Sequence, residues 1–112
     1  MTQPVRVSVV IPAYFSHATI ARCLDALRQQ SRRPDEVIVV NSSPEPATGE
    51  IVTGNYPEVR FIQSPTRLLP HAARNRGIEE ATGDLLVCTD PDCVADPAWL
   101  ASLVSAALSG AG

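Results

Sequence analysis

Val5–Arg6–Val7–Ser8–Val9–Val10–Ile11 is a β-branched run that ends at Pro12, and its reading decides the fold class. A short apolar run closed by proline reads as a buried strand. Within a few residues the period changes. Ile20, Cys23, Leu24 and Leu27 recur at helical spacing, with Ser16 as the expected N-cap, and Arg32–Arg33–Pro34 breaks the helix near residue 30. A buried strand followed at once by an amphipathic helix is the opening of a βα unit.

The same alternation repeats along the chain. Glu36–Val37–Ile38–Val39–Val40 is a second buried strand, stopped by a polar loop from Asn41 to Pro46 with two prolines. A short helix through Glu50, Ile51 and Val52 ends near Gly54–Asn55, and Val59–Arg60–Phe61–Ile62 is a third strand. Pro65 to Pro70 reads as a loop. His71 to Ala81 reads as a helix closed by Thr82–Gly83, with Gly83 expected as a left-handed cap. Gly77 inside that helix costs about 1 kcal/mol against alanine, which close packing against a strand would justify. Asp84 to Thr89 is a fourth strand, with Cys88 in its core. Asp96 and Pro97 are the expected N-cap and first residue of a last helix carrying Trp99, Leu100, Leu103, Val104, Ala107 and Leu108 on one face. Ser109–Gly110–Ala111–Gly112 reads as a small, flexible tail. Strands alternating with helices imply a mostly parallel, Rossmann-like α/β sheet with flanking helices.

Composition narrows the function. The chain has 112 residues, 45% hydrophobic and 19% charged, which suits one small domain with one core. A net charge of −3 argues against nucleic acid as a partner. Every basic residue is arginine, so phosphate-binding loops and Schiff-base chemistry that need lysine are excluded. Cys23, Cys88 and Cys93 lack metal-site spacing and are odd in number, which points to a reducing compartment: the cytoplasm, its inner membrane face included. No apolar run approaches the ~18 residues of a transmembrane span, and none reads as a signal peptide.

In parallel α/β sheets, ligands sit at the carboxyl ends of strands. Three polar segments fall there: Pro12–Ala13–Tyr14, Asn41–Ser42–Ser43 and Asp90–Pro91–Asp92. Carboxylates two residues apart in a loop can share a divalent cation; the plainer alternative is a turn and a cap. Tyr14 could stack on a planar base or merely cover the sheet edge. Arg74 and Arg76 could each neutralise phosphate, but on a helix only one can face a given site. His17 and His71 read as surface residues. Cys93, beside two aspartates, is a poor nucleophile. There is no GxGxxG after the first strand, so a dinucleotide site is disfavoured.

Five segments in this order resemble family 2 glycosyltransferases: Val7-Ser-Val-Val-Ile-Pro-Ala-Tyr14, Pro34-Asp-Glu-Val-Ile-Val-Val40, Ala72-Ala-Arg-Asn-Arg-Gly-Ile78, Ala81-Thr-Gly-Asp-Leu-Leu86 and Thr89-Asp-Pro-Asp-Cys-Val94. The resemblance is to the nucleotide-sugar-binding half of a GT-A fold. It implies that Pro12, Ala13 and Tyr14 contact uracil and ribose, and that Arg74 and Asn75 shape the pocket wall. Asp90 would meet the ribose or metal, and Asp92 would hold Mg²⁺ or Mn²⁺ against the diphosphate of a UDP-sugar. Asn41 and Ser42 stand where the family has Asp-Asp-Gly-Ser, one of whose aspartates accepts a hydrogen bond from uracil. Residues 1–112 are thus expected to form one donor-binding domain of an inverting transferase. The acceptor-binding half and its general base would be absent, the chain truncated, and an exposed sheet edge open to self-association. The competing reading is a non-catalytic nucleotide-binding module or an interaction domain that keeps only the fold.

Overall fold

The structure is a computed structural model and describes residues 5–110, so Ala111 and Gly112 of the expected tail lie outside the described residues. Four strands and four helices alternate: β1 (Val7–Ala13), α1 (Ile20–Arg28), β2 (Glu36–Asn41), α2 (Ala47–Asn55), β3 (Arg60–Gln63), α3 (Pro70–Glu80), β4 (Leu85–Cys88) and α4 (Trp99–Leu108). All pairings are parallel, in the order β3-β2-β1-β4. Every residue of β1 is buried, because it has a strand on each side and helices on both faces. Val7, Val9 and Ile11 point into the larger core with Leu24 of α1, Val52 of α2 and Leu100 of α4. On the opposite face α3 packs alone, over Val10, Ile38 and Val40.

Several boundaries differ from the sequence reading, each for a physical reason. β1 does not stop at Pro12 but runs through it to Ala13. The Val10 carbonyl accepts from Thr89 beside β4, so by alternation Pro12 faces the same side, where β4 has already ended. Its missing N–H therefore costs no ladder bond. Gly83 does not take a left-handed conformation; only Phe15 and Gly110 have positive φ among the described residues. Gly83 is instead needed for close approach, since a Cβ there would lie 2.5 Å from Ser8 Oγ and 2.8 Å from Ser8 N. The helix before it ends at Glu80, with Ala81 extended.

Neither expected N-cap caps its helix. Ser16 Oγ turns back to the backbone of Tyr14, accepting from its N–H and donating to its carbonyl. Asp96 caps the turn that precedes α4 rather than α4 itself: its carboxylate accepts from the Ala98 N–H and its carbonyl from the Trp99 N–H, and α4 starts at Trp99. Its first-turn amide at Leu100 is met instead by Gln30 Oε1 at 3.0 Å, from a side chain almost fully buried after α1. Cys88 is exposed rather than core, and Leu86 is 40% exposed. Both share the α3 face of the sheet, but α3 covers β1 and β2 and leaves the edge strand β4 bare. On α4 only Leu100 and Val104 are buried; Leu103 and Leu108 of the expected face are exposed.

The amino ends of the strands are tied together by carboxylates. Glu36 Oε1 accepts from Ser8 Oγ at 2.8 Å and from Thr82 N at 2.9 Å, while Asp35 accepts from the Val7 N–H at 2.7 Å. Burial pushes the Glu36 carboxyl up, but the hydrogen bonds from Thr82 and Ser8 outweigh it and hold it below its ordinary value. The Val7 N–H holds Asp35 down, and Arg28 brings Glu58 to about 2. In acid the unfolded chain therefore binds more protons than the folded one. The stability these groups contribute is complete above roughly pH 4.5, the ordinary range of free carboxyls, and is lost as pH falls through their lowered values toward about 2. Urea midpoints at pH 7, 4.5 and 2.5 should fall mainly across the last interval. A midpoint as high at pH 2.5 as at pH 7 would show that these contacts contribute nothing.

Candidate functional site

A cavity of about 510 Å³ opens at the carboxyl ends of β1 and β4. Its wall comes from residues 12–16 at and beyond the end of β1, Thr19, residues 67–70 leading into α3 with Ala73 and Arg74 behind them, and residues 90–92 after β4. The structure brings Pro12, Ala13, Tyr14, Arg74, Asp90 and Asp92 together on this wall. The strand ends place them there: β1 and β4 run parallel, and the residues at and beyond their carboxyl ends meet at the same edge of the sheet.

The geometry is specific. Arg74 Nη2 lies 3.3 Å from Asp90 Oδ1, a half-exposed pair of the kind worth at most about 1 kcal/mol. Arg76, two residues on, points elsewhere and pairs with Glu80 at 3.1 Å. A carboxylate oxygen from each of Asp90 and Asp92 and the Cys93 thiol lie within 4.8 Å of one another, all exposed. Asp90 is anchored from behind, where the buried Cys23 thiol of α1 donates to its carbonyl at 3.5 Å. Burial pushes the Cys23 thiol up to about 12, with Cys93, Asp92 and Asp90 adding to the shift. Iodoacetamide at pH 8 should therefore modify the exposed Cys88 and Cys93 and spare Cys23. Intact-mass analysis showing three adducts on the folded chain would contradict that burial.

Tyr14 is exposed, and the Phe15 ring meets it edge-on at 4.8 Å. Phe15 has φ +50, an uncommon conformation for a bulky residue, and Ser16 fixes the turn on either side.

Three expected residues stand elsewhere. Asn41 is fully buried off the cavity wall; its amide donates to Gln63 Oε1 at 2.9 Å and to the Ser43 carbonyl, and its own oxygen accepts from Ser43. Ser42 stands behind the wall. Its N–H donates to the Ala13 carbonyl and its hydroxyl to the Leu68 carbonyl, so it ties two sides of the cavity together. Asn75 lines a different cavity of about 340 Å³ on the outer side of α3. Glu45, which follows β2, is engaged with Ser43 and with both the N–H and hydroxyl of Thr48.

The sequence reading missed Arg67, whose guanidinium carbon sits 4.7 Å from the centre of the Tyr14 ring. Its signal was available: it lies in the loop after a parallel strand, the same position that singled out the other three loops.

A parallel α/β sheet with an acidic and aromatic cavity at its carboxyl edge is a ligand-binding fold of the doubly wound class. The profile of Glycosyl transferase family 2 matches residues 8–111. Glycosyltransferase AglE of Haloferax volcanii is 34% identical over 111 residues, covering 95% of this chain and 36% of that protein. The mannosyltransferase PcManGT of Pyrobaculum calidifontis, solved with GDP-Man and Mn²⁺, superposes with a TM-score of 0.80 at 28% identity, over 92% of this chain and 32% of its own. TarS 1-349 of S. aureus in complex with UDP superposes with a TM-score of 0.80 at 25% identity, over 89% of this chain and 31% of its own. The chain belongs to glycosyltransferase family 2 and has the GT-A fold. It spans about a third of the length of these relatives. Among the described residues, no helix is long and apolar enough to cross a membrane.

Proposed function

We propose that this chain is the donor-binding part of a glycosyltransferase and holds a nucleoside-diphosphate sugar in the 510 Å³ cavity. One observation carries the reading: a carboxylate pair, an arginine and an exposed tyrosine converge on one cavity at the carboxyl edge of the sheet. PcManGT with GDP-Man and TarS with UDP support it by likeness. In this reading Tyr14, Pro12 and Ala13 line the nucleoside end, with Arg74 and Asp90 beside it. Asn41 and Ser42 act from behind, by fixing the loops.

The oxygen donors of Asp90 and Asp92 fit a hard divalent cation, Mg²⁺ or Mn²⁺. When bound, such a cation offsets negative charge on the leaving diphosphate. The first turn of α3 adds to this, because it faces the cavity with no side-chain cap and no acidic residue. The positive end of its dipole favours phosphoryl oxygens. Inverting transfer also needs a base within about 3 Å of the acceptor hydroxyl. We assign none here: Asp90 and Asp92 serve the donor side, and Glu45 is held by Ser43 and Thr48.

Isothermal titration of UDP and GDP, in Mn²⁺ and in EDTA, tests the reading. Binding in Mn²⁺ that weakens at least about tenfold in EDTA, or 1.4 kcal/mol, is expected. Equal affinity in EDTA removes the cation from the site. No binding of either nucleotide removes the function.

A further inference from the structure

We propose that Cys93 is a third donor to the cation held by Asp90 and Asp92, and that its sulfur tilts the site away from Mg²⁺ towards softer divalent ions such as Mn²⁺ and Co²⁺. The inference rests on the reading of the carboxylate pair as a cation site. The donor atoms of Asp90, Asp92 and Cys93 all lie within 4.8 Å of one another, and the Cys93 thiol stands 4.0 Å from Asp92 Oδ1. A cation the size of Zn²⁺ holds oxygen at about 2.1 Å and sulfur at about 2.3 Å, so two such donors on one ion stand from about 3 Å apart at right angles to about 4.4 Å when opposed. The separation of Cys93 from Asp92 falls inside that span.

The turn after β4 puts the sulfur there. The Cys93 N–H donates to the Asp90 carbonyl at 3.1 Å, closing a four-residue turn with Pro91 in its second place. Proline presets φ for that place. Cys23 of α1 donates to the same carbonyl at 3.5 Å from the core side. The side chains of Asp90, Asp92 and Cys93 are all exposed, so the sulfur is as open to an ion as the carboxylates are. Arg74 gives a third donor its purpose. It draws on Asp90 at 3.3 Å, so the pair offers a cation less than two full negative charges. PcManGT, which shares this fold, was solved with Mn²⁺. Carboxylates alone suit Mg²⁺, Ca²⁺ and Mn²⁺, whereas a thiolate favours softer ions. As the metal–sulfur bond forms, the thiol proton leaves to solvent.

The test titrates the full chain with Co²⁺, Mn²⁺ and Mg²⁺, with and without UDP or GDP, and compares Cys93→Ser, Cys88→Ser and Asp92→Asn. All three side chains are exposed, so unchanged thermal unfolding should confirm that the variants fold. Co²⁺ should raise a near-ultraviolet sulfur-to-metal charge-transfer band in the unaltered chain and in Cys88→Ser, and none in Cys93→Ser. Asp92→Asn should weaken the band, which ties sulfur and carboxylate to one ion. Cys93→Ser should bind Co²⁺ at least about tenfold more weakly, the lower end of what losing even an outer partner of a metal costs, and bind Mg²⁺ as before. Bound Co²⁺ should also protect Cys93 from iodoacetamide and leave Cys88 to react. Co²⁺ that binds without such a band, or a band that survives Cys93→Ser at full strength, overturns the inference and leaves the carboxylate pair standing as the site. So does a loss in Cys93→Ser that Mg²⁺ shares equally, since a disturbed turn and not a missing sulfur would explain it. If none of the three ions binds the unaltered chain, with or without nucleotide, the reading of the pair as a cation site falls, and the inference with it.

Discussion

Asp92→Asn should weaken Mn²⁺-dependent nucleotide binding by at least about tenfold, 1.4 kcal/mol, and leave binding in EDTA unchanged. The substitution keeps the shape of the side chain and removes one anionic oxygen donor, which a hard cation needs most. Asp92 is exposed, and among the described residues its carboxylate accepts only from the Cys93 thiol at 4.0 Å, so the fold does not depend on it. Asp90→Asn should lose as much binding but is a less clean test, because it also releases Arg74 from its 3.3 Å pairing. Calorimetry with the metal present and chelated separates the two effects. A wild-type Mn²⁺ response in Asp92→Asn would show that the carboxylate pair is only a turn.

Gly77→Val should destabilise the chain by at least about 2 kcal/mol, within the range for overpacked cores. A Cβ at position 77 would lie 2.4 Å from Val10 Cγ1 and 3.3 Å from Val40 Cγ2. Val10 cannot yield, because it is fully buried in the central strand with a neighbour on each side. α3 cannot yield cheaply either, since it alone covers that face of the sheet and carries the cavity's Ala73 and Arg74. The gain of about 1 kcal/mol in helix propensity on replacing glycine is too small to offset this. Gly54→Ala is the contrast: a Cβ there meets nothing within 4 Å, so the same propensity term should stabilise by up to about 1 kcal/mol. Urea denaturation followed by circular dichroism should give shifts of opposite sign for the two variants. A Gly77→Val midpoint equal to wild type would mean that α3 does not sit against β1 as described.

Some of this molecule is decided locally and is therefore legible in the sequence. Runs such as residues 9–11 and 37–40 are apolar and β-branched for their whole length, and only a strand covered on both faces can hide them. The stripe Ile20, Cys23, Leu24 and Leu27 has helical period, and the structure buries all four on one face of α1. That alternation alone implies parallel pairing, and parallel pairing puts the loops after β1 and β4 on one edge. Pro12, Ala13, Tyr14, Asp90 and Asp92 could be named together for that reason.

What tertiary structure decided are the properties that depend on a distant neighbour. Pro12 can stay in β1 only because β4 ends before reaching it. Gly83 is glycine because Ser8, far away in sequence, lies 2.5 Å from where its Cβ would be, a constraint with no local signature. Cys88 reads as core from its own strand and is exposed because no helix covers the edge that β4 forms. Asn41 occupies a strand end like the other polar loops, yet Gln63 from the neighbouring β3 takes its amide and keeps it off the cavity wall. Arg67 enters the site because the loop before α3 folds over Tyr14, a contact across more than fifty residues. Hydrophobic period fixes which elements form and which face each buries. Which polar side chain finds a partner, and which is left free for a ligand, follows only from the packing of those elements against one another.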